Sequence, residues 1–312
     1  MIMKKNSIFG KLIDRSTLAV YSLFSGKLKK EMIDEQYAVN KEAWKEYLAQ
    51  NKITGERDVL SDSDASGEYG VGNGFMLIED QTKLTAFRYG TNKGQIGKRL
   101  FDGKKMTGAD NTCEVIAVYN AMHFLASQGN HDGDATGGNV GTDSGNVGAD
   151  GEKHSRKTLP GFPELLRTFS KKGIAYKGMF GTNPKALKNY LIRKGYKVEE
   201  LKVSELKKGN CKRVEKEYKA FILTTFNEAH NPFSMVHTMC VTREDGANIS
   251  DKVMKDMSQD KGDMIDHSSE GYVFQLHNDY EGSKTYPTLY DAITGYNNGK
   301  GNPITLLCIS AE

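Results

Sequence analysis

The stretch CEVIAVYNAMHFLA, residues 113–126, constrains this chain more than any other. It is long enough for a helix and apolar almost all round, so it belongs inside a domain with other elements covering it. Hydrophobic residues make up 38% of the 312, enough to build those covering layers and to exclude a chain disordered throughout. The length leaves room for one large domain or two modest ones.

Further helices are predicted over 163–171 and 184–194, the second opening at Asn183-Pro184 and stopping at Gly195. GIAYKGMF and YKVEEL read as strands, as do FMLIED (75–80) and KLTAFRYG (83–90). A strand series then follows: AFILTTF (220–226), MVHTMCVT (235–242), GYVFQLHND (271–279) and PITLLCI (303–309). Several of these alternate, as half-buried strands should. A helix-rich first half and a sheet-rich second half predict an α+β fold.

Upstream, residues 6–50 read as helical, with Ile8, Phe9, Leu12, Ile13, Ala19, Val20, Leu23 and Phe24 at helical spacing. The polar, glycine-rich run SDSDASGEYGVGNG over 61–74 follows. The expected organisation is a helical extension over 1–60 and a main domain over 75–312. The extension's helix is expected to pack on the domain, on a partner or on a membrane surface. No run reaches 18 apolar residues, so no membrane span is predicted, and a clean signal-peptide core is missing from the N-terminal region. Residues 127–156 are too polar to order themselves by apolar burial and read as a mobile loop. Asp132, Asp134, Thr136, Gly137 and Asp143 there match calcium-loop spacing, but the final position is not Glu and no exiting helix is evident. The match reads as composition, and no metal or other cofactor is expected.

Lys+Arg number 43 against 40 Asp+Glu, a net of +3, which argues against a nucleic-acid partner. The four cysteines, 113, 211, 240 and 308, form no C-x-x-C pair and read as free thiols in a reducing compartment. A cytoplasmic location is the expectation, with export by a leaderless route left open. The glycines around 90–99 do not complete a P-loop.

Cys113 follows the turn and cap residues Gly108, Asp110 and Asn111, and the apolar helix starts there. Unpaired N–H groups and the dipole at a helix start favour an anion, and the thiolate is the nucleophilic form of cysteine. The same N–H groups suit an oxyanion. Such a nucleophile needs a base. His123 is ten residues along the same helix, about 15 Å away and out of reach. His131, His154, His230 and His267 stand in polar loops. His237 opens an alternating strand whose other members on its face are apolar, so it is either a satisfied core residue or the base. Tyr272, Phe274, Leu276 and Asn278 share one face of a later strand, which aims the Asn278 amide inward to orient an imidazole. Asp279 takes that place if the strand bends.

Cys113, His237 and Asn278, on a helix start, a strand start and a strand end, resemble the papain-like cysteine peptidases. FPELLRTFSKKGIAYKGMFGTNPKALKNYLIRKGY, AFILTTF, VHTMCVT and YVFQLHNDY are similar to the bacterial bacteriocin-leader (double-glycine) peptidases over roughly 108–309. The resemblance implies a papain-like fold, with a buried catalytic helix packed on an antiparallel sheet. It also implies hydrolysis of a peptide or isopeptide bond in a peptide or protein substrate through an acyl-enzyme. Cys113 matches the nucleophile, His237 the base, and Asn278 or Asp279 the orienter. Relatives of this kind carry a Gln shortly before the cysteine to complete the oxyanion hole, and this chain has none there. Asn111, or Gln95 from further upstream, is the expected substitute. The departure also admits a non-catalytic binding protein on the same fold, or a same-fold acyltransferase.

Overall fold

The computed structural model describes residues 25–51, 68–69, 77–91, 108–128, 159–175, 178, 181–228, 236–245, 271–279 and 284–311. The calcium-like pattern, Gln95, the helical residues before 25 and the loop histidines 131, 154, 230 and 267 lie outside them, as does most of the loop over 127–156.

A short strand β1 (Ser25–Gly26) leads into helix α1 (Lys30–Gln50). After β2 (Glu68–Tyr69) and a 3-10 turn (Gln81–Lys83) come the one-turn helix α2 (Gly108–Asn111) and helix α3 (Cys113–Gln128). Next are β3 (Leu159–Pro160), α4 (Phe162–Lys171), β4 (Ile174–Ala175), α5 (Pro184–Arg193) and β5 (Tyr196–Lys202). The remainder runs α6 (Lys208–Glu217), β6 (Ala220–Phe226), β7 (Val236–Asp245), β8 (Tyr272–His277), β9 (Lys284–Tyr286), α7 (Leu289–Gly295) and β10 (Asn302–Ala311). The architecture is mixed helix and antiparallel sheet, an α+β fold.

Six antiparallel strands in the order β5-β10-β6-β7-β8-β9 form the central sheet. Strand alternation splits the hydrophobic interior in two. Ala220, Ile222, Cys240, Leu307 and Ile309 point to one face, where they meet α3, α4, α5 and α1. Phe221, Leu223, Met239, Val241, Phe274, Leu276 and Leu306 point to the other, where they meet α6 and α7. Helix α3 lies in the first layer with residues 113–125 all buried, as its all-round apolar sequence requires.

Helix α1 packs into the apolar core. Ile33, Ala43, Trp44 and Tyr47 return to one face at helical spacing and enter the same apolar cluster as α3. The Trp44 ring stands edge-on to Tyr119 at 5.6 Å and lies 5.7 Å from Phe162.

Residues 77–90 do not form the strands their composition suggests. Side-chain amides satisfy their backbone where a ladder would have. Asn120 of α3 accepts from the Ile78 N–H at 2.9 Å and donates to its carbonyl at 3.0 Å. Asn40 of α1 does the same for Arg88, at 2.7 and 2.9 Å. Between these brackets Asp80 caps the 3-10 turn by accepting from the Thr82 N–H.

Candidate active site

Cys113 is the first residue of α3 and is buried against β7. The backbone of Thr238 hydrogen-bonds its sulfur, an interaction that favours the thiolate. Burial outweighs it and, with the neighbouring Glu114 carboxylate, pushes the thiol well above its ordinary pKa. The resting group is a thiol.

His237 immediately precedes Thr238, so the strand brings the candidate base to within one residue of the sulfur's backbone partner. Alternation sends Thr238, Cys240 and Thr242 toward α3, and His237 toward the opposite face with Met239 and Val241. There its ring stacks on Tyr296 with centroids 5.9 Å apart. Nε2 lies 2.7 Å from the main-chain carbonyl oxygen of Asn278. A carbonyl oxygen only accepts, so Nε2 carries the hydrogen. Burial lowers the pKa of the ring to about 4, partly offset by that carbonyl, so the imidazole is neutral and Nδ1 is its basic nitrogen.

Asn278 meets His237 through its backbone and not through its amide. Strand β8 ends at His277, and Asn278 takes the left-handed conformation (φ 64°), so alternation no longer fixes where its side chain goes. The amide turns to the 3-10 turn instead. Oδ1 accepts from the Gln81 N–H at 2.9 Å, and Nδ2 donates to Gln81 Oε1 at 3.1 Å. Gln81 Nε2 in turn donates to the carbonyl of Ala109 in α2, at 3.1 Å. Asp279 is also buried.

Asn111 is not placed to receive an oxyanion. Its Nδ2 donates to the carbonyls of Tyr89 (2.7 Å) and Gly178 (3.1 Å), which occupies both amide hydrogens in a structural cross-link. This corrects the oxyanion assignment. The spacing before the cysteine is occupied by an amide, but two backbone carbonyls had to be satisfied there first.

Three groups at the site escaped sequence reasoning. Glu114 is buried, and burial raises its carboxyl from 4.5 to about 7. A lone acid in an otherwise apolar helix was the available signal. Gln81 gave none. His277 is buried on the α3 face, opposite Cys240 in the ladder. Its Nδ1 lies 2.7 Å from Glu79 Oε1 and its Nε2 lies 2.8 Å from Thr242 Oγ1. Its position one residue from Leu276 already placed it on the face opposite that strand's aromatics.

Among the described residues no group of three His, Cys, Asp or Glu side chains could hold a metal ion, and no helix is long and apolar enough to cross a membrane. No family model, curated protein or solved structure matches the chain.

Proposed function

We propose that the chain is a thiol-dependent hydrolase of the papain-like kind, a cysteine peptidase acting on a peptide or isopeptide bond. One observation carries this reading. The Cys113 sulfur, at the start of a buried helix, takes a backbone hydrogen bond from Thr238, the residue that follows His237 in β7, and the His237 tautomer leaves Nδ1 as its basic nitrogen. In the proposed reaction the His237 ring turns from its stack on Tyr296 toward the start of α3, and Nδ1 takes the thiol proton as sulfur attacks the substrate carbonyl. The amine leaves with that proton, giving a Cys113 thioester. Water, deprotonated by the same nitrogen, then releases the acid. At rest the Nε2–H bond to the Asn278 carbonyl sets the tautomer of the ring. The α3 N-terminus is the natural place for the oxyanion, since Asn111 is engaged elsewhere.

The test is covalent. A panel of peptides bearing acyloxymethyl ketone or vinyl sulfone warheads should modify Cys113, located by peptide mass mapping. The same modification should be lost in His237→Ala. Labelling spread equally over Cys113, Cys211, Cys240 and Cys308, or unaffected by His237→Ala, overturns the proposal.

A second reading has one observation behind it. Cys113 and His237 are 5% and 1% exposed, and burial opposes ionisation of both. A binding protein on the same fold would keep its thiol closed in this way. In that case peptide warheads leave Cys113 unmodified while peptide binding is retained.

A further inference from the structure

The sequence pattern assigns the orienting role to a side chain that folds away from the histidine. The atom that holds His237 is the carbonyl oxygen of Asn278, and every residue has one. What needs explaining is how that carbonyl is kept on target. Asn278 sits just past the end of β8 in a left-handed conformation, where most side chains are strained, and asparagine is one of the few that accept it. Two anchors hold the peptide on either side. Before it, the His277 ring is bonded to Thr242 Oγ1 and Glu79 Oε1. At Asn278 itself, the amide is paired twice with Gln81, both residues being buried. Glu79 and Gln81 belong to one short segment, and Gln81 also reaches the Ala109 carbonyl four residues before Cys113. An unbroken chain of hydrogen bonds thus runs from His237 through Asn278 and Gln81 to the turn that starts the cysteine helix.

We infer that Gln81 is a positioning residue, which clamps the Asn278 peptide so that its carbonyl fixes the His237 ring and ties that ring to the helix carrying Cys113. The inference deepens the proposed hydrolase site and rests on that reading for its catalytic meaning. The clamp itself is a statement about the His237 tautomer, and it is measured without substrate.

The experiment uses the full chain labelled with nitrogen-15 histidine. In the wild type, the His237 ring should show a protonated Nε2 and an unprotonated Nδ1 across pH 6–8. Gln81→Ala removes both side-chain bonds of Gln81 and keeps the backbone N–H that Asn278 Oδ1 accepts. Asn278→Gly accepts the left-handed conformation, keeps the carbonyl and removes both amide bonds. In each variant the His237 signals should move toward a mixture of tautomers, and thiol modification by the peptide warhead should slow on the order of 10-fold. Because the two residues act through one clamp, the double variant should be no worse than the more impaired single one. If Gln81→Ala does not fold, Asn278→Gly carries the same expectation. Folded variants with unchanged His237 signals overturn the clamp. Signals that shift in a protein whose Cys113 no warhead ever modifies keep the clamp and remove the hydrolase.

Discussion

The carboxylate of Glu114 lies directly against the α-carbon of Gly181. A Cβ on Gly181 would stand 2.7 Å from Oε1 and closer still to Oε2, and the residue has φ +62°. Only glycine combines that backbone with that neighbour. Gly181→Ala is therefore expected to lower stability by about 3 kcal/mol, the left-handed alanine and the clash acting together. Combining it with Glu114→Ala should recover part of the loss by removing the clash. Urea denaturation of the two single variants and the double variant measures both effects, and strict additivity would mean that the carboxylate is not what Gly181 accommodates.

Glu114 also shapes the pH dependence of folding. Its folded pKa is raised from 4.5 to about 7, so between those values the native state holds more protons than the unfolded state. Its contribution makes stability fall as pH rises through that window. His237 and His123, each lowered from 6.5 to about 4, act in the opposite sense and make stability rise between pH 4 and 6.5. Glu114→Gln removes only the first contribution. The stability of that variant should climb more steeply than wild type from pH 4.5 to 6.5, as read from urea midpoints. The same substitution takes a negative charge from beside Cys113, so the alkylation pKa of that thiol should fall.

Asn111→Ala separates structure from chemistry. It leaves the buried carbonyls of Tyr89 and Gly178 without their donor, at a cost of about 1–3 kcal/mol. The rate of Cys113 modification per folded molecule should stay within twofold of wild type. A large drop at full folding would restore Asn111 to the oxyanion site.

Asn120→Ala should release one end of the segment that carries Glu79 and Gln81. It breaks two buried bonds to the Ile78 backbone, and a loss of about 2–3 kcal/mol is expected. Native-state hydrogen exchange should show the Ile78 amide opening well before the amides of β6. Exchange of Ile78 at the wild-type rate would mean that other contacts hold the segment.

Patterns complete within one segment were legible in the sequence. The all-round apolar run became buried α3, and alternation located β6, β7, β8 and β10 to within a few residues. What depended on a distant partner was not legible. Residues 77–90 look like strands because they are apolar and β-prone, yet their backbone partners are amides of Asn40 and Asn120 in two helices. Helix α6, KGNCKRVEKE, buries only Cys211, Val214 and Glu215, too few to mark an apolar face. The positions of Cys113 at a helix start and of His237 near a strand start were legible. The role of Asn278 was misread because period-two reasoning assumes extended backbone, and one left-handed residue ends it.

Strands β5 and β6 are separated only by α6 in the chain, yet they are not paired; β10 lies between them and pairs with both. On a ribosome, β6 emerges with one flank bare and stays so while β7, β8, β9 and α7 are made. During that interval Phe221 and Leu223 have no β10 residues beside them. The nascent chain thus carries an open, apolar sheet edge until a late segment closes it, and chaperone capture is most needed before β10 is synthesised.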